Sequence, residues 1–279
     1  MDGASVSQTG SASTTAMMSA CGRGWHLMKQ GRSAALADWL AWPLVGPAAE
    51  PMAAQLFTAL GPEDGGYAAA WTAVRAAVTE AWLAESGAKH YVILGAGLDS
   101  YAWRQDAGHT VIEIDHPASQ QWKRERIQSL MLDEPAEHVW APCDFERESV
   151  GDVIRRLDLG VGPPFVSWIG VTPYLSAEAT MATLKELPPC TLVVGYCLPV
   201  ESWAGKGEIA STTFLRLAEQ SGEAIRSFFT PEQFKDVLGE AGFELLADVG
   251  ADVGLERFGQ EAWALGYERL ALARKGYSG

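Results

Sequence analysis

The sequence predicts an α/β fold: a mainly parallel β-sheet with helices packed on both faces. Three observations predict it. The apolar run Tyr91-Val92-Ile93-Leu94 breaks directly into Gly95-Ala96-Gly97, the pattern of a buried parallel strand that ends in a tight glycine turn. Eighteen residues beyond Gly97, a second apolar strand, Thr110–Ile114, ends on Asp115. From there strand-like and helix-like segments alternate, as in open parallel sheets.

Taken in order, residues 1–12 are small and polar and read as a disordered tail. Residues 13–60 read as short helices punctuated by Pro43, Pro47 and Pro51, with Trp25, Trp39 and Trp42 packing over the next domain's open face. Residues 61–66 read as a loop, and a helix over 67–85 carries the apolar stripe Ala70, Val74, Ala77, Val78 and Ala81. This divides the chain into a helical cap with its first helix, 13–88, and an α/β domain, 89–279. A helix over 118–132 buries Trp122, Ile127, Leu130 and Met131 and exposes Lys123–Arg126. Further strands are expected at 137–141, 164–168, 191–196, 243–249 and 267–273, with helices at 148–158, 177–187, 205–220 and 231–240.

Composition narrows the function. A net charge of −14 over 279 residues argues against nucleic acid, whose binding rests on basic side chains. Mean hydropathy is near zero and no apolar run approaches the length of a membrane helix, so neither a membrane partner nor a signal peptide is expected. Cys21, Cys143, Cys190 and Cys197 form no zinc spacing and read as reduced, buried thiols of a cytoplasmic protein. The five histidines form no metal set.

A glycine turn followed by an acid at the next strand's end suits an adenosine-type ligand, with the carboxylate on the ribose hydroxyls. The third glycine of the dinucleotide pattern is Ser100 here. That weakens a pyrophosphate reading and favours S-adenosylmethionine, which carries no phosphate, over NAD. Asp144 follows the third strand and either receives the adenine amino group or caps the helix after it. Ser167 leaves the fourth strand for the turn holding Thr172 and Tyr174, where a substrate would meet the methyl group. Tyr174 either donates to a substrate oxygen or packs beneath the sulfonium. His116 beside the ribose site and His26 in the cap are structural or serve as a base. The expected catalytic set is Tyr174, Thr172 and His26.

The stretches YVILGAGLDSYAWR and VIEIDHPASQQWK resemble the leucine carboxyl methyltransferase family, in particular its small bacterial members. The resemblance runs from Thr15-Ala16 and Arg23 through APCDF at 141–145 to SWIGVTPYL at 167–175. It implies a class I methyltransferase (Rossmann-like) sheet of seven strands, mostly parallel with an antiparallel last strand, and S-adenosyl-L-methionine as cofactor. Carried over by position, Arg75 would hold the cofactor's carboxylate and Gly95, Ala96 and Gly97 would cradle it. Asp115, with His116 beside it, would take the ribose; Asp144 and Phe145 would flank the adenine, and Ser167 would complete the set. One departure matters. Ile169 stands where members that methylate a protein carboxyl terminus have glutamate, which disfavours a protein substrate and leaves a small molecule.

Methyl transfer is an in-line displacement in which the protein mainly positions the nucleophile and excludes water. A carboxylate of pKa about 4 arrives ionised, whereas a phenol near 10 costs roughly 4 kcal/mol to deprotonate at pH 7. Without an obvious base dyad, the sequence favours O-methylation of a carboxylate or acidic hydroxyl on a small, partly hydrophobic molecule. Two alternatives stand beside it: a methyltransferase-like fold catalysing a non-methylating reaction, and a nicotinamide-dependent reductase, which predicts a purely parallel sheet.

Overall fold

The structure, a computed structural model, describes residues 13–59, 62–145, 147–157, 159–160, 162–203, 208–220, 222–259 and 267–276; the expected tail at 1–12 lies outside them. Four helices come first: α1 (Thr14–Gln30), α2 (Ala41–Val45), α3 (Ala49–Ala59) and α4 (Pro62–Ser86). Then follow β1 (His90–Leu94), α5 (Tyr101–Arg104), β2 (Thr110–Asp115), α6 (Pro117–Ser129), β3 (His138–Pro142), α7 (Val150–Arg156) and β4 (Phe165–Trp168). The chain continues through α8 (Ala177–Glu186), β5 (Cys190–Cys197), α9 (Glu208–Gln220), α10 (Pro231–Glu240), β6 (Glu244–Gly250), α11 (Ala251–Arg257) and β7 (Glu268–Lys275).

The seven strands form one sheet in the order β3-β2-β1-β4-β5-β7-β6. The pairs from β3 through β5 are parallel, and β7 runs antiparallel to both β5 and β6. This is the mostly parallel sheet with an antiparallel last strand, and not the purely parallel one a reductase would need. Alternation along the strands divides the core between the two faces. Val92, Leu94, Ile112, Val166 and Val194 meet Ile154, Leu184 and Phe234 of α7, α8 and α10 on one side. Tyr91, Ile93, Val111, Phe165 and Leu270 meet Trp71, Val74 and Val78 of α4 on the other. The first three helices add a third cluster, in which Cys21, Leu44 and Phe57 reach Leu98 and Ile127.

Four expectations are corrected. The 61–66 loop is largely helix: α4 begins at Pro62, a residue suited to the first helical turn. Gly65 then lies so close to α3 that a Cβ there would sit 1.8 Å from the Phe57 carbonyl oxygen, so the glycine serves close packing. Lys123 is buried rather than exposed, because Glu113 on β2 faces it at 2.6 Å. Arg126 is half-buried and donates to the carbonyls of Pro43 and Leu44, which ties α6 to α2. Met131, expected in the apolar side of α6, is 91% exposed just past its end. Helix α11, filling the gap between β6 and β7, went unread. All four cysteines are buried, and among the described residues no helix is long and apolar enough to cross a membrane.

Candidate active site

Strands β1 and β2 end side by side, and their ends build one wall of a cavity of about 370 Å³. Gly95 and Gly97 both have positive φ, +67° and +48°, a region costly for residues with a Cβ. Space dictates glycine as well: a Cβ on Gly95 would lie 2.4 Å from a Val171 methyl, and one on Gly97 would lie 3.1 Å from the Ala16 Cβ. The turn therefore packs closely against Val171 and Ala16, and all four residues line the cavity. Asp115 holds it there. Its Oδ2 accepts the Gly97 N–H at 2.5 Å and its Oδ1 accepts the His116 N–H at 2.6 Å. Burial pushes the Asp115 carboxyl above the ordinary value, against the lowering effect of those two amide donors. His116 caps α6, its Nδ1 accepting the Ala118 N–H, so the ring proton sits on Nε2.

The second wall is charged. Arg75, on α4, donates through Nη1 to both carboxylate oxygens of Glu268, at 3.0 and 2.7 Å, and through Nη2 to Ser19 at 2.9 Å. Trp71, one helical turn earlier, donates to the same carboxylate at 2.7 Å. The guanidinium is 14% exposed and the carboxylate 2%. Burial alone would lower the Arg75 pKa; the Glu268 charge outweighs it and the net shift is upward. Behind the glycine turn, Arg23 bonds Asp38 at 2.7 Å and the Leu98 carbonyl at 2.7 Å, while Ser100 and Arg104 share the other Asp38 oxygen.

The structure gathers Arg75, Gly95, Ala96, Gly97, Asp115, His116, Phe145, Ser167 and Tyr174 around this cavity. Ser167 is tied to the Tyr91 hydroxyl at 3.0 Å. Burial raises the Tyr174 phenol, with Arg75 opposing, which leaves it a neutral hydrogen-bond donor. Three expected residues lie off the cavity. Asp144 pairs with Arg147 at 3.4 Å near the surface. Thr172 is buried with its hydroxyl bound to the Gly195 carbonyl. His26 is buried in the cap, where its Nε2 accepts the Ala35 N–H at 3.0 Å; burial holds the ring below its ordinary value. Trp25, Trp39 and Trp42 do not line the cavity, and Trp39 is 51% exposed. Its apolar lining comes from Met18, Leu56, Phe57 and Val171 instead. Sequence reading missed Ser19, Glu223 and Glu268. The one hint was Glu268, an acid that with Arg269 opens the otherwise apolar run Leu270–Ala273.

A seven-stranded sheet with only β7 reversed, and a glycine turn and an acid at adjacent parallel strand ends, define the class I methyltransferase fold. The match over residues 16–187 to the leucine carboxyl methyltransferase family model covers more than half the chain, and the chain belongs to that family. A Bacillus subtilis (strain 168) protein, YktD, described as a candidate S-adenosyl-L-methionine-dependent methyltransferase, is 29% identical over 60% of this chain and 57% of its own. A Mycolicibacterium vanbaalenii protein of the same description is 36% identical over 36% of this chain and 35% of its own. The chain thus spans about half the length, or less, of these curated relatives. A crystal structure of a candidate methyltransferase from Thermobifida fusca YX shares the fold, with TM-score 0.61 and 16% identity, over 96% of this chain and 97% of that one.

Proposed function

We propose that the chain is an S-adenosyl-L-methionine-dependent O-methyltransferase acting on a carboxylate or acidic hydroxyl of a small, partly hydrophobic molecule, with residues 13–88 as a cap over the cofactor-binding domain. The observation that carries it is the Gly95, Ala96 and Gly97 turn beside the Asp115 carboxylate, all four residues lining one cavity. Family membership and the names of the relatives support the same reading.

In this reading the cradle approaches the nucleoside and Asp115, whose oxygens each keep a free lone pair, accepts from the ribose hydroxyls. The Arg75–Glu268 pair offers opposite charges to the amino-acid end of the cofactor, and Phe145 faces the adenine. When bound, the cofactor supplies an electrophilic methyl group. Tyr174 steadies the acceptor by donating a hydrogen bond, and the capping helices keep water from the reacting oxygen. Thr172 holds the turn that carries Tyr174, and His26 ties α1 to the segment after it; both serve as structure. Calorimetry with S-adenosylhomocysteine tests the reading: micromolar binding is expected, and well-folded protein that does not bind it would overturn the proposal.

A further inference from the structure

The charges lining the cavity are unbalanced. Two guanidiniums, Arg23 and Arg75, face five carboxylates, on Glu80, Asp99, Asp115, Glu223 and Glu268. S-adenosylmethionine, with one sulfonium, one ammonium and one carboxylate, brings a single net positive charge, so acids remain in excess with it in place. Neither arginine is available to a further anion. Arg23 is committed to Asp38 and the Leu98 carbonyl. Arg75 is bound to Glu268 through Nη1 and to Ser19 through Nη2, and the donors it has left are those the proposed function gives to the cofactor's carboxylate.

Of the five, Glu80 pairs with Arg104 at 2.6 Å and Glu268 with Arg75, while Asp99, Asp115 and Glu223 have no ion pair among the described residues, and Glu223 is the one whose charge bears on Tyr174. It lies on the segment after α9, and that segment is fixed above the Tyr174 turn: the N–H groups of Arg226 and Ser227 donate to the Pro173 carbonyl at 2.7 and 3.3 Å, and the Phe229 N–H donates to the Cys197 carbonyl at 2.8 Å. From there the Glu223 Oε2 reaches across to accept the Thr15 N–H at 3.1 Å, in the first turn of α1. No lysine or arginine among the described residues forms an ion pair with it. Its carboxylate therefore lines the space beside Tyr174 held by the first turn of α1 rather than by a lysine or arginine of the described residues. The chain's net charge of −14 adds a field of the same sign.

We infer that this cavity admits acceptors without a carboxylate, namely neutral or ammonium-bearing hydroxyl compounds, and that Glu223 is the side chain that reads their charge. This rests on the proposed function and narrows it: of the two acceptor oxygens proposed there, the hydroxyl is retained.

Three phenols of similar size and different charge provide the test: tyramine, 4-ethylphenol and 4-hydroxyphenylacetate, titrated calorimetrically into full-length protein saturated with S-adenosylhomocysteine. Tyramine is expected to bind at least about tenfold more tightly than 4-hydroxyphenylacetate, with 4-ethylphenol between them. In Glu223→Gln, where the amide oxygen can still accept the Thr15 N–H, that gap should close to within about threefold. The acid binding as well as the amine, none of the three binding, or an unchanged gap in a Glu223→Gln protein that melts like the wild type would each overturn the inference. Absence of S-adenosylhomocysteine binding would overturn the proposed function along with it, whereas a reversed order on the saturated protein would remove this inference alone.

Discussion

Among the buried ion pairs of the described residues, two that flank the sheet face different things. Lys123 and Glu113 meet at 2.6 Å, each side chain 1% exposed. His138 lies 3.3 Å from the same carboxylate, and Trp103 and Trp140 cover the ammonium at 5.4 and 5.6 Å. Nothing can enter there. Arg75 and Glu268 are equally close but open on the cavity. Chemically the pairs are alike, and only their surroundings differ: one is covered and the other lines the cavity. A buried pair is weak evidence for stability, since two hydrophobic residues often do as well, but removing one partner strands the other.

The sharpest separation between them should come from Lys123→Met. Stranding Glu113 is expected to cost about 3–5 kcal/mol in urea-unfolding stability, with little change in affinity for S-adenosylhomocysteine measured on the folded fraction. A large loss of affinity without a loss of stability would show that the covered pair also serves the ligand. Arg75→Met should behave differently. It strands Glu268 and, on the proposed function, removes donors to the cofactor as well, so affinity should fall by about 1.5–3 kcal/mol, the worth of hydrogen bonds to charged groups. If calorimetry shows stability falling and affinity holding, the two pairs are of one kind and the Arg75–Glu268 wall is only structural.

What was legible in the sequence follows the same division. Local patterns carried the fold: the 91–94 run with its glycines and the strand ending on Asp115 signal within a few residues, and the structure has β1 and β2 there. The cradle side of the site was legible for that reason. Pairings across long separations were not. Arg75 and Glu268 are 193 residues apart, and the charge run Lys123–Arg126 looks solvated until Glu113 is known to lie beneath it. Thr172 and His26 were expected to be catalytic on residue type and neighbourhood, which carry no information about where a side chain points. Of the three tryptophans expected to pack in the cap, Trp25 and Trp42 pack against its apolar cluster, whereas Trp39 is 51% exposed.

Asp115 sits between the two kinds of group, since it both holds the glycine turn and faces the cavity. Asp115→Asn should lower affinity for S-adenosylhomocysteine by about 1–3 kcal/mol, with a smaller effect on stability, because the amide oxygen can still accept one of the two backbone N–H groups. A change confined to stability would place Asp115 with the covered pair.

The smallest effect is expected at His26, the other group hidden from the cavity. Burial holds its ring below the ordinary 6.5, so as pH falls below about that value the unfolded chain takes up a proton that the folded chain resists. Stability should therefore decline as pH drops from 6.5, by at most about 1 kcal/mol over the first unit. His109 is shifted in the same direction by burial, so His26→Gln should reduce the slope and not abolish it. The glutamine oxygen can replace Nε2 as acceptor for the Ala35 N–H, which keeps the cap tied together. Urea midpoints for both proteins at about pH 7.5 and 5.5 give the slope, and S-adenosylhomocysteine affinity should match at the higher pH. A slope identical to wild type, joined to a loss of methyl transfer at the higher pH, would return His26 to the reacting groups and show that distance from the cavity does not mark structural residues here.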